Sequence, residues 1–241
     1  MSNQNGSNLQ ERFQNFFNGW LERQQSFLDQ LDHFYSSLTS HENHLEQQRN
    51  SIIEQVLSHY QEYYEEKARA ALEDVFTVFS APWLSSFERT FLWIGGFKPS
   101  MILRLVNNIL GDLTPEQLQI MERMKAETSQ AEKELMETTA TVQESLAAPP
   151  LLTLARRVGR LMGGEILNLD GALERVKTAM LGVLQSADGL RASTVRKLVE
   201  VLSPDQKVRF LMRVAQFQLS IRRWGVQRDS QRATSCLSLR G

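Results

Sequence analysis

The sequence predicts an all-α protein, a multi-helix bundle that opens with a long antiparallel helical hairpin. Apolar residues recur three and four positions apart through most of the 241 residues, which is the period of one helix face. Helix-start signals recur along the chain, and no stretch alternates apolar and polar residues as a half-buried strand does. Together these observations favour packed helices over any sheet architecture.

Two apolar stripes predict the first two helices. The first stripe comprises Phe13, Phe17, Trp20, Phe27, Leu31, Phe34 and Leu38, with Gln24 as its one polar member, and the second comprises Ile53, Leu57, Tyr60, Tyr64, Ala68, Ala71, Val75 and Val78. Thr39 and Ser40 lie between the stripes and fit a tight turn. We therefore expect the two helices to lie antiparallel.

Capping boxes and prolines predict the later helices. The boxes pair Ser85 with Glu88, Thr114 with Gln117, and Ser203 with Gln206, and Pro115 and Pro204 each occupy the first helical position of a helix.

Breaks between these helices are expected at prolines and glycines. Pro149 and Pro150 are expected to end the helix that begins at Pro115, and Gly163–Gly164 to end a short basic helix. Three closing helices are predicted around 172–186, 193–202 and 204–224. Residues 1–9 are expected to be disordered and 229–241 to form a flexible tail, which leaves one domain over 10–228.

Composition narrows the class of protein. The single cysteine, Cys236, excludes a disulfide framework and any CxxC-type site, which favours a reducing compartment. No apolar run approaches 18 residues and the first ten residues are polar, so we expect neither a membrane span nor a signal sequence. A net charge of −1 argues against wholesale binding of nucleic acid.

The near-neutral total hides a charge asymmetry. Residues 1–90 carry 6 Lys/Arg and 13 Asp/Glu, whereas residues 191–241 carry 11 and 3. Two interpretations stay open: the two ends pack together and compensate each other, or they present differently charged faces to partners.

Catalytic and metal-binding patterns are absent from the sequence. His41 and His44 are three apart, whereas a zinc protease helix needs two histidines four apart. The Gly95-Gly96 and Gly163-Gly164 pairs do not fit a phosphate-binding loop. The sequence therefore predicts a protein that is not an enzyme and has no metal site.

The last predicted helix is basic and amphipathic. Its broad apolar coverage favours burial within the bundle. The alternative is a calmodulin-type target helix, with contacts at Phe210, Arg213, Phe217, Arg222 and Trp224. The sequence has no helix-turn-helix or basic-region pattern, so we expect no direct binding of DNA; we also expect no membrane contact.

One segment is distinctive, the run Trp93-Ile94-Gly95-Gly96-Phe97-Lys98-Pro99-Ser100. Together with His59-Tyr60-x-x-Tyr63 before it, and Ala187-Asp188-x-Leu190-Arg191 and Arg223-Trp224-Gly225 after it, it resembles the plant domain of the delay-of-germination seed-dormancy regulators. TGA-type basic leucine-zipper transcription factors share that domain as their C-terminal part. On its own chemistry the run predicts a rigid corner between helices, because its glycines let the backbone turn and Pro99 starts a helix. The alternative is an effector surface around Phe97 and Lys98.

The resemblance implies specific contacts. The family's N-terminal phosphatase-binding motif falls on Asn15, Phe16, Phe17 and Trp20, with Asn15 and Gly19 where the motif is acidic. The other interpretation is that Phe17 and Trp20 belong to the core stripe. Haem binding in the family uses histidines that correspond to Gln218 and Arg222, so we expect no haem here.

The function implied is regulation without catalysis. The first hypothesis is a dormancy and abscisic-acid signalling regulator that binds type 2C phosphatases. The second is a TGA-like regulator of transcription that acts beside zipper proteins or as a homodimer. Both imply a nuclear and cytoplasmic protein, and the sequence leaves calmodulin as a further candidate partner.

Overall fold

The computed structural model describes residues 2–37, 44–146 and 163–238. The elements in these ranges are α1 (Ser2–Ser37), α2 (His44–Glu73), α3 (Val75–Ser80), α4 (Ser86–Arg89), β1 (Leu92–Trp93), β2 (Gly96–Phe97), α5 (Pro99–Ile109), α6 (Pro115–Leu146), α7 (Gly163–Val201) and α8 (Pro204–Ser238). The all-α prediction is confirmed, because the two short strands form only one small hairpin.

Helices α1, α2 and α8 form the centre of the bundle. Arg12 pairs with Glu73 and Arg23 with Glu62, so α1 and α2 run antiparallel, as predicted. The turn expected at 39–40 lies outside the described residues, as do His41 and the proline boundary at 149–150. Helix α8 packs against α1, and α6 packs against α7.

Two apolar clusters fill the interior. One joins the end of α1 and the start of α2 to α5, α6, α7 and α8, and includes Leu31, Val56, Leu103, Met121 and Phe210. The other lies at the opposite end of the α1–α2 pair and comprises mainly Leu9, Phe13, Phe17, Trp20, Ala70, Ala71, Val75, Val78, Trp83 and Leu184. The α1 stripe crosses both clusters, so this one helix ties the two halves of the core together.

The predicted capping boxes are present. Ser85 and Glu88 satisfy each other's backbone N–H groups at the start of α4. The Thr114 N–H donates to Gln117 Oε1 at 3.0 Å, and the Ser203 N–H donates to Gln206 Oε1 at 2.9 Å. Each box fixes a helix start by satisfying N–H groups that have no partner within the helix.

Several predicted boundaries differ from the structure. The Gly163–Gly164 pair, expected to end a short helix, begins α7. Helix α1 begins at Ser2, and Leu9 is buried because it extends the apolar stripe by one more turn. Helix α7 is continuous over Gly163–Val201 instead of two helices and a break. The segment between the two predicted helices includes Asp188 and Arg191, which remain helical; they pair with each other, and Arg191 also bonds to the neighbouring hairpin.

The last helix is also longer than predicted. It runs through Gly225 to Ser238, where a flexible tail was expected from residue 229. Gly225 does not end the helix, because it lies buried at a close crossing with Ser85 of the α4 cap. Asp229, one turn further, accepts a hydrogen bond from the Ser86 N–H at 2.9 Å.

Candidate functional site

The signature run forms a β-hairpin rather than a bare corner between helices. Leu92 pairs with Phe97 and Trp93 with Gly96, and the turn residues Ile94 and Gly95 have φ values of 45° and 65°. A two-residue turn with positive φ at both positions matches the right-handed twist of the flanking strands. Strands of two residues leave no alternating pattern, so the sequence did not predict them.

Arg191 of α7 holds this hairpin. Its Nε donates to the Phe97 carbonyl at 2.7 Å, and one terminal nitrogen donates to the carbonyls of Trp93 and Ile94. The guanidinium also lies 5.3 Å from the centre of the Trp93 ring. A Cβ on Gly96 would lie 2.8 Å from Arg191 Cζ, so glycine there allows the close approach.

A buried ion cluster lies beneath the hairpin. Lys67 of α2 and Arg191 are 1% and 2% exposed in their side chains, and both pair with Asp188, at 2.8 and 2.5 Å. Burial lowers the pKa of the Lys67 ammonium to about 8, against the opposing effect of the Asp188 carboxylate. The second cation is compensated by the three hairpin carbonyls, which makes the cluster a fixed joint between α2, α7 and the hairpin.

The second half of the signature is bound to α6. The Ser100 N–H donates to Glu132 Oε1 at 2.7 Å, and Lys98 Nζ lies 3.3 Å from Glu132 Oε2. Pro99 is buried at the first position of α5, where its missing N–H costs nothing. Lys67, Glu132, Asp188 and Arg191 are thus the residues that hold the signature run. In the sequence, the sign that could have identified these four residues is a charged residue on a helix face that is otherwise buried.

The α1 candidates separate into buried and exposed residues. Phe17 and Trp20 are 2% and 1% exposed, while Phe16 is half-buried and Asn15 exposed. Trp20 Nε1 donates to the His59 carbonyl at 2.9 Å, and its ring stacks on the His59 imidazole with centres 4.4 Å apart.

His59 is an enclosed histidine on α2. Neither ring nitrogen has a hydrogen-bond partner among the described residues. Burial, aided by the nearby Arg23 charge, lowers the pKa of His59 to about 4. The imidazole is therefore neutral at physiological pH and acts as a packing group against Trp20 and Phe27.

Some of the candidate calmodulin-binding residues of the last helix are buried and others are exposed. Phe210 is buried and Phe217 half-buried, while Arg213 and Trp224 are exposed. Arg222 donates to Glu88 Oε2 and to the Trp83 carbonyl, both at 2.9 Å, and so joins α8 to the α4 cap.

Gln218, on the same helix, belongs to an interior polar network. Its Oε1 lies 3.3 Å from Gln24 Nε2 and 3.4 Å from the Tyr60 hydroxyl. Gln24, the one polar member of the α1 stripe, therefore meets partners on both neighbouring helices. Gln218 and Arg222 are both engaged within the protein.

The described residues hold neither a metal cluster nor a membrane-spanning helix. No group of three or more His, Cys, Asp or Glu side chains there is arranged to hold a metal ion. Within the same residues, no helix has the length and apolar character needed to cross a bilayer.

Comparison with known proteins gives the family. The family model described as seed dormancy control (DOG1) matches residues 30–108, a span that includes the hairpin. Protein ZW2 of Arabidopsis thaliana is 41% identical over 221 residues, which cover 90% of this chain and 97% of ZW2. Protein RESPONSE TO ABA AND SALT 1 of the same plant is 39% identical over 228 residues, or 92% and 97% of the two chains.

A transcription factor is also similar to this chain over most of the chain's length. Transcription factor HBP-1b(c38) of Triticum aestivum is 32% identical over 209 residues, which cover 84% of this chain and 60% of that protein. The resemblance carried by the signature run is thus confirmed, including the domain shared with TGA factors. The chain belongs to the seed dormancy control (DOG1) family.

Proposed function

We propose that this chain is a regulator of abscisic-acid-linked responses, including seed dormancy and germination, and that it acts through protein contacts rather than catalysis. The observation that carries the proposal is the 39% identity, over nearly the whole of both chains, with a protein named for its response to abscisic acid and salt. Among the described residues several charged side chains form ion pairs and helix caps, such as Arg12–Glu73 and Ser85–Glu88, which is a structural use of charge and is consistent with action by protein contact.

The finer proposal is that α1 binds a type 2C protein phosphatase. In the folded chain, Phe17 and Trp20 are packed in the core, so a partner meets the exposed Asn15 and the edge of Phe16. A partner that needs the Trp20 indole has to displace it from the Trp20–His59 stack. Contact through Asn15 and Phe16 requires no such rearrangement, and we favour it for that reason.

A pull-down with purified type 2C phosphatase tests this contact. Asn15→Arg places a long charged side chain on the proposed surface, and Ser26→Arg makes the same change at a position eleven residues further along α1. We expect the phosphatase to be retained by the wild type and by Ser26→Arg, and lost with Asn15→Arg. Equal retention by both variants, or none by the wild type, would refute the proposal.

A second candidate function is regulation of transcription beside zipper proteins, in the nucleus as well as the cytoplasm. It rests on the 32% identity with the wheat transcription factor over 84% of this chain. Co-expression with a TGA factor and a promoter-binding assay tests it. We expect the chain to slow the migration of the factor–DNA complex further and to leave free DNA unshifted. A shift of DNA by the chain alone would contradict this function.

A further inference from the structure

Four aromatic side chains form a continuous row across the junction of α4, the hairpin and α8. The ring centres of Trp224 and Phe87 are 4.1 Å apart, those of Phe87 and Phe91 5.1 Å, and those of Phe91 and Phe97 6.4 Å. We call these four residues the aromatic row. Each adjacent pair is tilted or edge-to-face, an arrangement that gains attraction beyond burial alone.

The aromatic row is accessible to a partner. Trp224 is 43% exposed, and the other three rings of the row are half-buried. A large, partly exposed tryptophan beside further aromatic rings is typical of contact surfaces, where tryptophan contributes more binding energy than most residue types.

The row is also rigidly held. Its base is the crossing of Gly225 over Ser85, with Arg222 bound to Glu88 on one side and Asp229 bound to Ser86 on the other. A surface that is ordered before binding loses little side-chain freedom when a partner arrives.

One exposed arginine lies directly on the row, and further arginines lie on α4 and α8, the helices that carry Phe87 and Trp224. The Arg228 guanidinium lies 4.8 Å from the centre of the Trp224 ring. Arg89 and Arg232 lie near Asp229, whose pKa is lowered first by its Ser86 hydrogen bonds and then by these two charges. Among the described residues, none of these three arginines, nor the exposed Arg223, lies within ion-pair distance of an acidic side chain.

The segments outside the described residues carry little negative charge. Residues 1, 38–43, 147–162 and 239–241 together contain one acidic side chain, Glu42, and the longest of these segments carries three arginines. Charge complementarity to the row therefore favours a partner protein that brings its own carboxylates.

We propose that the aromatic row and its arginines form a docking site for a short acidic segment of a partner protein, with one bulky apolar side chain as its anchor. The anchor packs beside Trp224 and Phe87, and flanking Asp or Glu side chains meet Arg228, Arg89 and Arg232. This inference rests on the proposed mode of action by protein contact, and it adds a basic site that is separate from the proposed contact on α1.

Selection of peptides tests the site directly, although the natural partner is unidentified. A phage library of random peptides of about 12 residues, a length that spans several ring spacings, is selected on the purified full chain. We expect enriched peptides to carry net negative charge and a Trp, Phe or Leu. Their affinity, measured by fluorescence polarisation, should fall at least about tenfold with Trp224→Ala and with Arg228→Glu.

Matched variants separate the site from general effects. Leu72→Ala removes another exposed apolar side chain, on α2, and Arg175→Glu reverses another exposed charge, on α7. Both should leave the affinity unchanged. Arg228→Glu alters only an exposed side chain, so it reports on binding even if Trp224→Ala lowers the stability of the chain.

Several results would overturn the proposal. These are a failure to enrich any peptide, enriched peptides without acidic residues, and equal affinity for the wild type and Arg228→Glu. A wild-type dimer in sedimentation that Arg228→Glu dissociates would likewise overturn it, by assigning the surface to a second copy of the chain. Because the selection uses only the purified chain, its outcome is independent of the phosphatase pull-down.

Discussion

Gly225→Ala is expected to destabilise the protein, although alanine normally stabilises a helix interior. Gly225 lies within α8, buried where α8 crosses the α4 cap. A Cβ at this position would lie 2.9 Å from Ser85 Cβ and 3.2 Å from Phe87 Cβ, and closer still to Ser85 Oγ. Since Ser85 is fixed by its capping box, α8 has to shift away from α4 to make room.

The expected magnitude is a balance of two effects. Replacing a helical glycine by alanine gains about 1 kcal/mol of helix propensity. Overpacking a close contact costs about 1–3 kcal/mol. Because the added Cβ approaches the fixed Ser85 side chain below 3 Å, the upper part of that range applies, about 2–3 kcal/mol. The net destabilisation should therefore be about 1–2 kcal/mol, which lowers the melting temperature of a chain of this size by roughly 2–8 °C.

Gly189→Ala on α7 is the matched control. Gly189 is also helical, but a Cβ there would meet nothing within 4 Å. This variant should therefore gain most of the free energy that alanine's higher helix propensity provides, and it should melt about 2 °C higher than the wild type. Differential scanning calorimetry of the two variants compares them directly.

A double variant tests whether the loss of stability in Gly225→Ala comes from the contact between α8 and Ser85. Ser85→Gly removes the nearest atoms and also the cap, so by itself it should lose a few tenths of a kcal/mol. Combined with Gly225→Ala, the loss should be smaller than the sum of the two single losses, because the clash is relieved. A Gly225→Ala protein as stable as the wild type, or a strictly additive pair, would refute the close-crossing argument.

Three further predictions concern buried charges and the interior helices. Arg191→Lys keeps the positive charge but loses the guanidinium group that donates to the hairpin carbonyls, so the urea midpoint should fall by an amount equivalent to about 2–4 kcal/mol. An unchanged midpoint would contradict the role of the guanidinium group. His59 has a pKa of about 4 in the folded protein, below its value in the unfolded chain, so the unfolded chain binds the proton first as pH falls. The free energy of unfolding should therefore decline between about pH 6.5 and about pH 4, by up to about 3 kcal/mol. His59→Phe should flatten that decline in urea titrations, and a parallel decline in this variant would assign it to other groups. Hemin should give no saturable one-to-one Soret shift, because Gln218 and Arg222 carry no imidazole and are engaged with Tyr60 and Glu88, whereas saturation at that ratio would show a different haem site.

Periodicity predicted the helices well because each stripe is a local property of the chain. The Phe13–Phe34 stripe is buried as expected, and Gln24 within it is explained only by partners 36 and 194 residues away. The hairpin and the Lys67–Asp188–Arg191 cluster depend on contacts between distant helices, which no local pattern encodes. The last helix was predicted to end at residue 224, just before Gly225, and a glycine required by close packing cannot be told from one that ends a helix by sequence alone.

The charge asymmetry is resolved by the way α1, α2 and α8 meet. These helices pack through apolar faces, and the acidic first third is joined internally by Arg12–Glu73 and Arg23–Glu62. Among the described residues, one ion pair connects an acid of residues 1–90 to a base of residues 191–241, namely Glu88–Arg222.

The two charged ends are therefore neighbours without neutralising each other. If compensation had been the reason for the asymmetry, the arginines of α8 would face the carboxylates of α1 and α2 across the helix interface. Instead Arg223, Arg228 and Arg232 are exposed on α8, and Arg228 lies against the Trp224 ring of the aromatic row. Exposed like charges gain nothing for the fold and repel one another, so their clustering is better explained by an acidic partner than by stability. The second interpretation, two differently charged faces on one bundle, is the one that the packing favours.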